Sequence, residues 1–337
     1  MKKKLITAIS AVLLSTTLFA SCSSASQKLQ FSPNWTQNTL GNTGAIVSEE
    51  TLIYEVSFQA STSLNEDYYS VTYCPNGNGS YATTLQANPE ADGYTYTSVL
   101  TIEVEFKLAD GTAEIFTDSV TATTVFKSTA NSLQPVRSEK TVLSHTPRNV
   151  KATKLEDAYI AYDYTVLTEY DADCTSGTVT CTDRGKTLIS AEQYPATKTS
   201  SFEIDKEKYT YLDNEQLLFA LRGLSSTVLA SQRTVNVYDS STNKVQEVNI
   251  KPDSEDSDKF SFSVNGTPLS ADTVIDYIPV SISLNAENTG SPVKAWYAKT
   301  TDPSNNTYRN VMLMMQTSVS YNIGLLQYDL KEAKFAN

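Results

Sequence analysis

The sequence predicts a mainly β fold: an antiparallel, large curved sheet or incomplete barrel with one short packed helix near 213–223. Three observations carry this. Apolar residues recur with a period of two, most clearly at Leu100, Ile102, Val104, Phe106 and Leu108, with Thr101, Glu103, Glu105 and Lys107 on the other face. Turn dipeptides punctuate the strands at Asn76-Gly77, Asp92-Gly93, Asp110-Gly111 and Asn265-Gly266. A single segment has convincing helical spacing.

Residues 22–48 are rich in Ser, Gln, Asn, Thr and Gly without a sustained period, and read as a flexible tether. The β domain spans 49–337. Leu100 to Leu108, Asp110-Gly111 and Ala113 to Phe126 form a strong hairpin signal. Ile160, Tyr162, Tyr164 and Val166 repeat the alternation, as do Val280, Ile282 and Leu284. Short turns argue for antiparallel pairing with one face buried and one wet. Pro135, Pro147 and Arg148 interrupt the pattern, so a boundary between two β lobes near 134–154 competes with one continuous sheet.

Asp213 is a good N-cap, Leu217, Leu218 and Leu221 share a helix face, and Gly223 can end the helix. A solitary amphipathic helix must bury its stripe, as a plug in a curved sheet or as cover for one edge. Val311 to Met315 is apolar on both faces: Val311, Leu313 and Met315 one way, Met312 and Met314 the other. A strand of that kind is covered on both sides, by a helix or by a ligand. Leu217, Leu221, Met312 and Met314 are therefore the candidate lining of an apolar-ligand site. Tyr68 and Tyr69, with Tyr73, Tyr81, Tyr94 and Tyr96, are candidates for an exposed platform for sugar or protein, against ordinary strand filling. Tyr321 to Leu330 reads as the last strand.

The catalytic inventory is thin. His145 is the single histidine, in Ser144-His145-Thr146-Pro147, which reads as a loop without an acidic neighbour in sequence. Gly-x-Ser-x-Gly, Walker, His-Glu-x-x-His and Rossmann patterns are missing. Glu103 and Glu105 alternate with Thr and Lys as solvated strand residues do. The acidic run from Asp253 to Asp258, and Asp171, Asp173 and Asp183, lack the EF-hand pattern for calcium. The reading is a protein that is not an enzyme, with no catalytic residue, metal or cofactor. Cys174 and Cys181 flank Thr175 to Thr180. A two-residue turn at Gly177-Thr178 would set them opposite each other within disulfide range, the alternative being two thiols. Cys74 reads as a small buried hydrophobe.

Lys2 to Lys4 precede an apolar stretch from Leu5 to Phe19, then Ala20-Ser21-Cys22 and a serine-rich run from Ser23 to Ser26. This resembles a bacterial lipoprotein signal with a lipobox, with Phe19 standing where Leu is usual; the alternative is an ordinary secretory signal cut near Ala25, with Ser23 and Ala25 in the small-residue positions. The resemblance implies that residues 1–21 are removed and that Cys22 is lipidated, with palmitate among its acyl chains. It implies export, with anchoring to the cell membrane or outer membrane and the domain facing outward. Removing residues 1–21 removes three lysines and no acidic residue, taking the formal charge from −12 to −15. Such acidity excludes nucleic acid as a partner. The partners left are the membrane, through the N-terminal lipid, and a small apolar ligand, a glycan or an envelope protein.

Glu50 to Ser57, Asp213 to Leu221-Arg222, Trp296-Tyr297 with Lys299, and Gly324-Leu325-Leu326 are scattered motifs. They resemble a group of uncharacterised exported bacterial β-proteins of unknown function. That resemblance implies a large curved sheet or incomplete barrel and brings no catalytic residues. The function expected is that of a lipid-anchored cell-envelope protein with a non-catalytic binding role, for an apolar or amphipathic ligand on a concave sheet. The alternative is a structural or adhesive surface module contacting protein or glycan; an envelope hydrolase trails.

The mature protein is expected to partition with membranes, and Cys22→Ala to move it to the soluble fraction, since multiple acyl chains give stable anchoring. A Cys22→Ala protein that is still acylated and membrane-bound contradicts the lipobox reading.

Overall fold

The alternating segments form a 19-stranded sheet. The computed structural model describes residues 48–60, 68–129, 132–149, 151–183, 197–204, 211–223, 233–239, 244–284, 293–298, 308, 310–319 and 323–336. The first nine strands are β1 (Glu49–Ala60), β2 (Tyr69–Tyr73), β3 (Gly79–Asn88), β4 (Gly93–Leu108), β5 (Ala113–Thr129), β6 (Ser132–Pro147), β7 (Tyr159–Tyr170), β8 (Ser176–Asp183) and β9 (Thr197–Glu203). A one-turn helix, α1 (Leu155–Ala158), precedes β7. Then come β10 (Tyr211–Asp213) and α2 (Leu217–Ala220). The rest are β11 (Arg233–Asp239), β12 (Lys244–Pro252), β13 (Asp256–Lys259), β14 (Ser263–Val264), β15 (Thr267–Pro268), β16 (Val274–Leu284), β17 (Val293–Ala298), β18 (Met312–Ser318) and β19 (Gly324–Ala336).

The main path across the sheet runs β9-β8-β7-β6-β5-β4-β3-β1-β19-β18-β17-β16-β12-β11-β10. Pairing is antiparallel except at β10–β11 and β14–β19, so the sheet is mixed. It is one sheet across 134–154, because β6 pairs with β5 on one side and β7 on the other. Among the described residues no ladder closes it into a barrel. Its two end regions meet instead through side chains: the Phe202 ring on β9 stacks on Tyr238 of β11 at 3.8 Å, and Tyr170 meets Tyr238 edge-on at 6.2 Å.

The predicted hairpin is β4–β5, paired from Gly93↔Lys127 to Lys107↔Ala113. Leu100, Ile102, Val104, Phe106 and Leu108 all face the core. The Asp110 carboxylate accepts from the Thr112 N–H at 2.8 Å and Gly111 takes φ +90°, as a tight turn requires.

The predicted apolar strand at Val311–Met315 owes its pattern to a bulge. Trp296 pairs with Met314 and Tyr297 with Met312, so Leu313 is an extra residue. Met312 and Leu313 therefore both face the core, while Met314 is half-buried opposite Trp296. A bulge flips the alternation and mimics a strand covered on both faces.

The cysteine hairpin also differs from expectation. Tyr170 pairs with Gly177 and Val166 with Cys181, so the turn lies at 171–175 and Cys174 sits in it at φ +53°. The Asp171 carboxylate holds that turn, accepting from the Thr175 N–H at 2.7 Å and from the Thr175 and Ser176 hydroxyls at 2.9 Å. Gly177 is a strand residue, where a Cβ would clash with the Glu169 carbonyl and the Phe202 ring. Cys174 and Cys181 are thus thiols rather than a disulfide. Unfolding the domain 23–337 without reductant is expected to expose three alkylatable thiols, Cys74, Cys174 and Cys181. A protein that takes one label contradicts the assigned turn.

Candidate functional site

The segment around α2 fills the concave side of the sheet. The Asp213 carboxylate accepts from the Glu215 N–H at 2.9 Å, the predicted N-cap bond. The helix is shorter than its leucine spacing suggests: a 3-10 turn at Asn214–Gln216, then α2, then a 3-10 turn at Leu221–Gly223. Leu217 and Leu221 are buried in the core that also holds Met312.

Polar bonds fix this plug. Arg222 donates to Glu50 of β1 through two nitrogens, Nη1 to Oε1 at 2.5 Å and Nη2 to Oε2 at 2.9 Å, with both side chains under 5 % exposed. Burial works against the Arg222 charge, but the adjacent Glu50 carboxylate outweighs it and holds the guanidinium pKa above its usual value. Tyr297 OH donates to the Leu218 carbonyl at 2.9 Å, Asn310 Nδ2 to the Arg222 carbonyl at 3.1 Å, and Gln216 Nε2 to the Leu133 carbonyl at 2.9 Å. Lys140 Nζ donates to Glu215 at 2.9 Å, and Tyr170 OH to Asp213 at 2.6 Å.

Leu52, Tyr54, Thr83, Tyr96, Phe219 and Met312 stand around the space beside Arg222. That cavity is about 10 Å³, room for about one water molecule. Leu217, Leu221 and Met312 share one core, packed on side chains of the protein itself, and Met314 is not with them. Tyr54 OH donates to the Met312 carbonyl at 2.8 Å across the interior.

The tyrosine platform is corrected. Tyr69 is 1 % exposed, and Tyr73, Tyr81, Tyr94 and Tyr96 are buried as well; Tyr68 is half-buried against the same core. A wide curved sheet needs large side chains to fill it, and tyrosine brings aromatic area plus a hydroxyl that can reach a partner. Outward positions carry threonine instead. Thr121, Thr141, Thr165, Thr182 and Thr197 form one lateral row across β5 to β9. The hydroxyls of Thr141 and Thr165 lie 3.2 Å apart, and those of the neighbouring pairs Thr97–Thr123 and Thr180–Thr199 3.1 Å.

His145 is on β6, not in a loop, and it has an acidic partner that sequence proximity hid: its Nδ1 lies 2.7 Å from Asp118 Oδ1 on β5. Among the described residues no group of three or more His, Cys, Asp or Glu is placed to hold a metal ion, and Asp256–Lys259 is an exposed strand. No described helix is long and apolar enough to cross a membrane. Cys22 lies outside the described residues.

No family model matches the chain, and no curated protein matches it. A solved structure, a β-barrel-like protein of domain of unknown function DUF1849 from Brucella abortus, is similar at a TM-score of 0.49 and 9 % identity, covering 86 % of this chain and 99 % of that one.

Asp213 supplies a pH test of the plug. Burial pushes its carboxyl up to about 6; the Glu215 charge adds to the push, and bonds from Tyr170, the Glu215 N–H and Ser138 oppose it. A raised carboxyl stabilises the fold below its unfolded value, about 3.9, and that contribution is lost as pH rises through about 6. Asp213→Asn keeps a good cap but cannot ionise. Its stability relative to wild type is expected to rise by on the order of 2 kcal/mol between pH 4 and pH 7 in denaturant titrations. Parallel pH profiles for the two proteins contradict the assignment.

Proposed function

We propose that this is a lipid-anchored cell-envelope protein that acts as a non-catalytic surface module, contacting a glycan through the outer face of its sheet. The observation that carries this reading is the close packing around the plug: where it meets Met312, about 10 Å³ remains among the described residues. Sites for small organic ligands are typically ~300–1,000 Å³. Around the plug the inner face is therefore used for packing, and this reading assigns recognition to the outer face. Across β5 to β9 that face carries the threonine row, uncharged and rich in hydroxyls at the strand spacing of about 4.8 Å. Hydroxyls that both donate and accept suit a neutral, hydroxyl-bearing polymer better than a charged one. The anchoring half of the reading rests on the lipobox at Cys22.

Two measurements test it. Native mass spectrometry of the domain 23–337, purified without detergent, is expected to show the bare chain mass. A co-purifying small molecule released on unfolding would instead support the enclosed apolar ligand. Retention on purified cell-wall glycan is expected to fall at least about tenfold in a Thr121→Lys, Thr141→Lys, Thr165→Lys variant of unchanged melting temperature, the loss of roughly 1.4 kcal/mol of binding. Equal retention contradicts the contact face.

A further inference from the structure

The β5–β6 ladder ends at Ser119↔Leu143, although β5 continues to pair with β4 and β6 with β7 beyond that point. The two strands fork there. The fork opens at the end of the sheet opposite the entry of the chain at residue 48: Glu49 pairs with Gln86 beside the Asn88–Gly93 turn, and β4 ends at Leu108 on the other side. Asp118 fills the fork. Its carboxylate accepts from the His145 N–H at 2.9 and 3.0 Å and faces the ring Nδ1 at 2.7 Å, taking the place of the strand carbonyl that the ladder no longer supplies.

The pair is enclosed. The His145 ring stacks on Phe116 at 4.0 Å and meets Tyr159 edge-on at 5.4 Å, while Tyr159 also packs on Phe106 at 5.2 Å. Asp118 is 1 % and the His145 side chain 12 % exposed. Ser144 and Thr146 flank the histidine with buried hydroxyls that have no hydrogen-bond partner among the described residues. Tyr73 on β2 feels the Asp118 charge, and Tyr159 on β7, beside the ring, feels Glu114 on β5 and Glu156 on α1; buried Asp163 on β7 pairs with Leu143, and exposed Arg148 follows β6. Of these groups and the imidazole, His145 is the one that faces the Asp118 carboxylate as a partner for its charge.

We propose that Asp118 and His145 form a proton-sensitive clasp that holds the β5–β6 fork shut in acid and releases it as pH rises. An imidazole is the side chain whose charge changes between pH 5 and 8. With the ring neutral, a carboxylate remains buried without a counter-charge, and opening returns it and the two hydroxyls to water. Burial raises the Asp118 carboxyl, with the bonds from His145 opposing it. The closed fork therefore holds protons more tightly than the open one, so closure is favoured as pH falls and weakened as pH rises.

Hydrogen exchange by mass spectrometry between pH 4 and pH 8, corrected for intrinsic rates, reads this directly. In the wild-type domain, protection of a peptide spanning 143–149 is expected to fall at least about tenfold as pH rises. A peptide from the paired part of β4, 95–101, is expected to stay unchanged. Asp118→Asn and His145→Gln are each expected to flatten the dependence. Wild-type protection that is constant over this range overturns the proposal, and so does either variant keeping the wild-type profile. The wild-type profile decides alone if neither variant folds.

Discussion

A carboxylate and a guanidinium taken out of water together each lose several kcal/mol of hydration, and only near-ideal mutual geometry offsets it. Glu50 and Arg222 meet that condition with two short, parallel bonds. One partner is the second residue of β1; the other ends the α2 plug, 172 residues later in the chain. The pair thus ties the strand that joins the two halves of the sheet to the segment that fills its hollow. Leu217, Phe219, Ala220 and Leu221 then have one place to go, against Tyr96, Phe126 and Met312. Without the plug, the concave face of the sheet would expose the apolar side chains of this core, which the hydrophobic effect opposes.

That constraint explains how residue types divide between the faces. The hollow is wide, and among the described residues eleven tyrosines are buried, including Tyr54, Tyr81, Tyr96, Tyr297 and Tyr328. Their rings meet at 5.5 Å in the Tyr54–Tyr81 and Tyr81–Tyr328 pairs, and burial raises the pKa of each phenol, so the hydroxyls stay protonated donors. The convex face needs strand formers that tolerate water, and threonine meets both needs. Ring packing inside and threonine outside follow from the same curvature.

Much of the fold was legible because it is local. The β4–β5 hairpin follows from period-two alternation and Asp110-Gly111, and the Asp213 cap from one residue type ahead of a leucine stripe. The features that escaped are set by distant partners. Alternation cannot say which face of a strand is concave, so the tyrosines near Tyr81 kept an exposed platform as an alternative to strand filling. A bulge at Leu313 reverses the alternation without marking the sequence. Gly177 resembled a turn glycine, yet it answers to Phe202 on the next strand. Asp118 and His145 are 27 positions apart and meet where a ladder stops, which no spacing rule announces.

The central claim is that the Glu50–Arg222 pair docks the plug that fills the sheet, and a double-mutant cycle of Glu50→Gln and Arg222→Met in chemical denaturation measures it most directly. Each single change leaves one buried group without its partner and is predicted to cost about 3–5 kcal/mol. The double variant is predicted to be less destabilised than the sum of the two by at least about 2 kcal/mol. Additive losses, or single changes costing under about 1 kcal/mol, would contradict the account.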